Sequence, residues 1–485
     1  MNRIRGRRRS RRQARVGAPD ATLTANAGLA AVSELCDRLG VVEAIDAAVG
    51  PIKQRSRGSG AGALLVGIAA AQLAGEDFLV GLDRQRADAA GQQITPVPGL
   101  SSTTAAGLAR RVGPAQWQAV EAGLAEVTGR MLGLLPPRRA AALCGGSVTI
   151  DLDTTDVEVY GRKKRGVAYN HVGQRVGRPH VASWAETEIV LAADLGSGTD
   201  DPRASAADLL RRALGCLPEQ ARAGGRVGLR ADAGYFAGRL ARAAHDEHIC
   251  FAIGAKRIAP LWRLLSGIAE EDWREAIEMD GAQVAVADYC PDWWPATTRL
   301  LIRRVALDPA QVSADPRSRR RRTLHPGQRA LPIPELARAG AIHGYTFILT
   351  NLDVSTPDQA AAAEHWYRHR TTSENIFRDS KIGAGLRHLP SGYPEVNRAW
   401  MWGALLAAST AAWLHQLTAV TAGEDILAGH GVRAGKAMIA TLRRRLIAVP
   451  ARLVRHGRQV VLRPPPGHHL LAEVLARLRA LPALS

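Results

Sequence analysis

Four residues in the last third of the chain, Tyr367, Arg370, Glu374 and Lys381, have types and spacings suited to work on a phosphodiester. Read as one helix over WYRHRTTSENIFRDSK (366–381), they fall at about 0°, −60°, −20° and −40° around the axis, a wedge about 60° wide. A carboxylate, two cations and a phenol make a poor core face, because such charges are rarely buried unless paired. They make a good face for meeting a metal ion and a phosphate together. The same residues would also form an ordinary solvated helix with i,i+4 and i,i+7 charge pairs. What decides between these readings lies elsewhere in the chain.

Two further acids sit on predicted strands. SVTIDLDTTD (147–156) carries Asp151 and Asp153 on one face and Ile150 and Leu152 on the other. RVGLRAD (226–232) ends in Asp232, at the strand end where open α/β sheets place ligands. A fold uniting Asp153 (or Asp151), Asp232 and Glu374 would make an oxygen cage for Mg²⁺ or Mn²⁺, hard ions that keep ligand positions for water and phosphate. Two such ions about 3.5–4 Å apart would activate the attacking oxygen and stabilise the leaving oxygen of an in-line displacement.

Composition points the same way. The 485 residues carry 64 Lys+Arg against 45 Asp+Glu, a net charge of +19, with arginine far outnumbering lysine. Arginine is the fork-shaped donor suited to phosphate, so nucleic acid is the leading partner and an anionic membrane the weaker one. The five cysteines (Cys36, Cys144, Cys216, Cys250, Cys290) are odd in number and form no C-x-x-C pair. They read as reduced thiols of a cytosolic protein rather than a disulfide framework or zinc site. The Arg-rich N-terminus has no apolar run behind it, so no secretory leader is expected. The apolar runs 60–75 and 399–417 read as buried helices rather than membrane spans.

The elements that must position the acids can be laid out along the chain. Residues 1–21 are a basic, disordered arm suited to phosphates without base reading. Residues 22–137 form a helical domain, with helices expected over 27–48, 60–74, 102–112 and 114–133. There Ser101 or Ser102 caps a short helix that presents Arg110 and Arg111 to DNA. Over 138–255 strands and helices alternate, giving a mixed sheet flanked by helices. Residues 256–344 interrupt that rhythm with an inserted, mainly β subdomain containing Trp293, Trp294 and the basic loop 315–329. Residues 345–420 return to a strand and the four-residue helix, and 421–485 end in a hairpin around 452–463 and a last helix.

At this point the chain resembles a known family. Tyr367–x2–Arg370–x3–Glu374–x6–Lys381 is similar, without a gap, to the Y-R-E-K signature of bacterial insertion-sequence DDE transposases (transposase DDE domain, group 1-like). Asp153-Thr154-Thr155 looks like their first-aspartate motif and RADAGYF (230–236) resembles the second, with Asp232 as the acid. FRDSKIGAGLRHLPSGYPEVN (377–397) reads like the continuation past the glutamate. The resemblance covers about 150–420 well. One departure is that Tyr235 and Phe236 follow Gly234 directly, without the longer gap of the family pattern.

The resemblance implies an α/β, RNase H-like catalytic domain with a mainly β insertion, preceded by a helical domain. It implies cut-and-paste transposition: binding of terminal inverted repeats, then metal-dependent strand cleavage and strand transfer. Asp153, Asp232 and Glu374 would hold two Mg²⁺ (or Mn²⁺) ions, Arg370 and Lys381 would grip phosphates beside the scissile bond, and Tyr367 would bond or pack there. Relatives with such an insertion form hairpin ends and can hold a flipped base on an aromatic, a role open to Trp293 or Trp294 unless the pair is core. A homodimeric synaptic complex and a cytoplasmic, nucleoid-associated location are expected. The competing readings are an RNase H-like nuclease that cuts without joining and an inactive DNA-binding relative. GVRAGKA (431–437) lacks the P-loop spacing, so no ATP requirement follows.

Overall fold

A computed structural model describes residues 14–53, 58–315, 317–338, 342–419, 426–427, 436–457 and 459–483. Most of the expected N-terminal arm lies outside the described residues. The chain begins in helices α1 (Leu29–Leu39), α2 (Val41–Val49), α3 (Ala61–Ala74), α4 (Gly81–Ala87), α5 (Ser102–Ala109), α6 (Pro114–Leu134) and α7 (Pro137–Gly145). The single helix expected over 27–48 is thus two. Gly40 breaks it, with φ +57° and ψ 44°, the left-handed conformation that stops one helix and starts another at little cost only for glycine.

Nine strands form the core sheet: β1 (Ser147–Thr154), β2 (Arg175–Trp184), β3 (Ile189–Ser197), β4 (Arg226–Ala231), β5 (Cys250–Ala255), β6 (Arg274–Glu275), β7 (Ala282–Ala287), β8 (Arg299–Ala306) and β9 (His343–Thr350). Two short ribbons, Val157–Glu158 and Ala168–Tyr169, add to β2. The spatial order is β3-β2-β1-β4-β5-β9-β8-β7-β6. Strands β3, β2 and β1 are antiparallel neighbours, whereas β1, β4 and β5 run parallel. That order and polarity is the RNase H-like core, an α/β sheet with α8 (Pro202–Cys216) and α9 (Gly238–Asp246) packed on it.

The strands of 256–344 do not fold into a sheet of their own. β9 pairs antiparallel with β5, and β8, β7 and β6 follow outward, so the sheet continues unbroken. The open outer edge of β5 offers unpaired backbone groups, and β9 satisfies them. The basic run 315–329 holds the short helices Arg319–Arg322 and Pro326–Arg329, and Arg321 is buried with its guanidinium on the carbonyls of Arg329 and Leu331.

Three helices complete the site region: α10 (Pro357–Arg368), α11 (Thr371–Gly383) and α12 (Pro394–Thr418). Nearly every side chain of α12 is buried, including Trp400, Trp402 and Trp413. It packs against α3 on one side and β3 on another, so the N-terminal helices and the sheet share one continuous core. Both apolar runs are therefore buried helices, and among the described residues no helix is long and apolar enough to cross a membrane. The hairpin Ala451–His456/Gln459–Arg463 and the helix Leu470–Arg479 follow α12.

Candidate functional site

The site begins with a register. β1 and β4 are parallel neighbours, and the pairing of Leu152 with Ala231 sets Asp153, near the end of β1, beside Asp232, the first residue past β4. Neighbouring strands lie about 4.8 Å apart. The Asp232 carboxylate caps a short turn by accepting from the Gly234 N–H at 2.7 Å, and Asp153 accepts from the Thr154 N–H at 2.8 Å. Tyr235 is buried beneath them, its phenol pushed well up by burial and then by the negative Asp153 and Asp232.

Asp151 occupies a different environment two residues earlier. It is fully buried and receives two hydrogen bonds from Arg230, Nε to Oδ1 at 2.7 Å and Nη2 to Oδ2 at 2.9 Å. Arg230 is its direct register partner on β4. Burial pushes the Asp151 carboxyl up to about 6, and the guanidinium restrains that rise. The third arm of Arg230 donates to the Trp366 carbonyl at 2.6 Å, so the buried pair fixes the end of α10 to the sheet. Sequence reasoning missed Arg230. The signal was available: it sits two residues before Asp232 in the predicted strand 226–232, hence on the same face.

The helix predicted over 366–381 is broken. Residues 366–381 are two helices, not one: α10 ends at Arg368 and α11 starts at Thr371, with His369 and Arg370 in the joint (Arg370 φ −61°, ψ −6°). Two threonines and a serine follow, residues that favour helix starts over interiors. The break releases Arg370 from the helical surface and sends its guanidinium to the acids. It lies 3.6 Å from Asp153 Oδ2 and 3.8 Å from Glu374 Oε1, and it is mostly buried. Burial opposes its charge, yet Tyr367, Asp153, Asp232 and Asp151 together raise its pKa.

Tyr367 is buried, its phenol pushed up by burial, and its hydroxyl accepts a hydrogen bond from Arg370. It packs where β5 passes Asp232: a Cβ on Gly254 would stand 2.6 Å from Tyr367 Oη and 2.7 Å from the Ala233 nitrogen, so only glycine fits. Glu374 is half exposed at the start of α11. Lys381, near the other end of α11, donates from Nζ to Thr155 Oγ1 at 2.5 Å and to the Asp156 carbonyl at 2.8 Å. It ties α11 to the loop after β1, and burial pulls its pKa down.

Asp153 and Glu374 thus flank the Arg370 guanidinium, while Asp232 and the Arg230-paired Asp151 are near enough to favour its charge. An all-carboxylate donor set around a cation suits a hard divalent ion. The ligand oxygens of Asp153, Asp232 and Glu374 are not all within 4.8 Å of one another; among the described residues only Glu278, His365 and His369 meet that spacing.

The other expected contacts separate. Trp294 is buried against Phe236 and Phe251, ring centroids 5.6 and 6.0 Å away, and is core. Trp293 is 56% exposed, with its carbonyl held by Arg242. Ser101, not Ser102, caps α5, accepting from Thr104 N–H. Arg110 and Arg111 are exposed beyond its end, and Arg110 and Arg165 both lie 4.9 Å from the ring of Tyr393. Lys436, in the stretch excluded as a P-loop, is buried against Asp379 at 2.7 Å.

Residues 7–313 and 335–483 match the family described as transposase DDE domain group 1. No curated protein matches the chain. Among solved structures it is similar to the cryo-EM structure of a piggyBac transposase synaptic complex with hairpin DNA, at 10% identity and a TM-score of 0.40, covering 87% of this chain and 80% of that one.

Proposed function

This chain belongs to the transposase DDE domain group 1 family, and from that premise we propose that it is the transposase of an insertion sequence, cutting and joining DNA at Asp153, Asp232 and Glu374. The observation that carries the reading is the register that sets Asp153 beside Asp232, with Arg370 reaching Asp153 and Glu374 from the helix joint. Asp153, Asp232 and Glu374 would hold Mg²⁺ or Mn²⁺, one ion or two. Bound ions supply Lewis-acid activation of the attacking oxygen and charge neutralisation at the leaving oxygen. The half-exposed Glu374 closes the donor set from the helix side.

The protein's own residues do the rest. Arg370 neutralises the acid cluster and, as phosphate approaches, is the cation nearest it. Tyr367 holds that guanidinium in orientation through its hydroxyl. Lys381 fixes the loop after Asp153 and adds positive charge beside it. Arg110, Arg111 and the basic arm contact the DNA backbone. Exposed Trp293 is the aromatic free to stack on an unpaired base, and buried Trp294 supports it. The ligand is a pair of terminal inverted repeats held by a homodimer, and the division into a helical domain (22–137), a catalytic domain (138–255 and 345–420) and an insertion (256–344) describes the working parts.

The test is cleavage of a supercoiled plasmid carrying the element's two ends, with Mg²⁺, comparing wild type with Glu374→Gln. Excision by wild type and binding without cutting by the variant is the expected outcome. Equal cutting by both removes Glu374 from the site. Cleavage without strand transfer in the same mixture would reduce the protein to a nuclease.

A further inference from the structure

We propose that Glu278, His365 and His369 form a second metal site, distinct from the carboxylate cluster, that takes a borderline transition ion such as Zn²⁺. His365 and His369 stand one helical turn apart, so both imidazoles leave the end of α10 on one side. The turn between β6 and β7 brings Glu278 to them, and one ligand atom from each of the three residues lies within 4.8 Å of the others. Two neutral imidazoles and one carboxylate select zinc-like ions over Mg²⁺, which prefers oxygen alone.

Two features pre-orient the set. His369 Nδ1–H donates to the His365 carbonyl at 2.7 Å, which leaves its lone pair on Nε2. A hydrogen bond of this kind on the far nitrogen is the support that metal-ligating histidines need. His365 Nε2 lies 3.2 Å from Glu278 Oε2, so two of the three ligands already face each other. The Glu278 turn is itself held to α10, because Arg368 donates to the Ile277 carbonyl and also pairs with Glu364. Water completes the coordination.

The location gives the site a role. His369 lies in the joint between α10 and α11, next to Arg370. A bound ion ties that joint to the β6–β7 turn, and so holds the residue that faces the acids. The proposal stands on its own ligands and survives if the catalytic reading fails.

Metal-stripped protein would be titrated with Zn²⁺ alone in excess Mg²⁺, which fills oxygen-only sites, and then with Co²⁺, followed by its visible absorption. The expected result is one saturable site per chain, with Co²⁺ bands of a nitrogen–oxygen set and a Zn²⁺-dependent rise in melting temperature. His365→Ala and the exposed Glu278→Gln should each weaken binding by at least about tenfold, whereas His245→Ala should leave it intact. Binding unchanged in both variants, or no saturable binding to the wild type, overturns the site.

Discussion

Asp151 and Asp153 are two residues apart on one strand, and their partners give them opposite duties. Asp151 is locked by Arg230, and Asp153 faces the cation that faces Glu374. Removing one member of a buried ion pair costs about 3–5 kcal/mol. Asp151→Ala should therefore lower the melting temperature sharply, while Asp153→Asn should abolish cleavage with a much smaller thermal effect. The reverse pattern in melts and plasmid assays would exchange the two assignments. Tyr367→Phe keeps the packing but removes the hydroxyl that receives Arg370. A hydrogen bond to a charged group contributes about 1.5–3 kcal/mol, so the melting temperature should fall by a few degrees, and cleavage, with the guanidinium no longer held, by about tenfold or more. His180, buried on β2 against Tyr235, is held neutral: burial, then Arg212, lowers its pKa to about 3. Its stabilising contribution is complete above pH 6.5 and is lost as pH falls from there towards 3, at up to about 1.4 kcal/mol per pH unit. His180→Phe should flatten stability against pH in that window; an unchanged slope would show that His180 is protonated in the fold.

At the scale of elements, sequence periodicity recovered almost every strand and helix near the site. It failed where one residue changes backbone state. Gly40 splits a 22-residue helical pattern because its positive φ is set by packing: Arg130 donates to the carbonyls of Leu39 and Gly40, closing the first helix. Gly40→Ala should cost about 1–2 kcal/mol, read as a lower urea midpoint with an unchanged slope. The α10–α11 break was hidden for another reason. Arg370 and Glu374 are four apart whether the helix is continuous or not, so their contact was legible and the joint was not. Asp151–Arg230 was out of reach because it is a register between strands, and local alternation says which face a residue takes but not its neighbour.

At the scale of the molecule, charge was fully legible and its distribution was not. The net +19 announces a polyanion. Only the fold shows Arg110, from the N-terminal helices, and Arg165, from the loop after β1, meeting over Tyr393. If both contact phosphate, replacing them with alanine should weaken DNA binding uniformly across sequences and reduce the log–log salt slope by about 1 for each. An unchanged slope in filter binding would remove them from the interface. The break in the strand–helix rhythm at 256–344 was likewise legible, while the attachment of its strands to the β5 edge depended on a pairing between strands far apart in the chain.

That attachment sets an order of events during synthesis. β5 ends at Ala255, but the strand that covers its edge does not begin until His343. At ribosomal rates the intervening segment takes on the order of ten seconds to appear, and throughout that interval a half-built parallel sheet presents an open edge. β9 comes next, and Arg370 and Glu374 are synthesised only after it. A nascent chain therefore carries Asp153 and Asp232 for many seconds before Arg370 and Glu374 are made, so the four residues can meet only once the strand that covers the β5 edge has been synthesised.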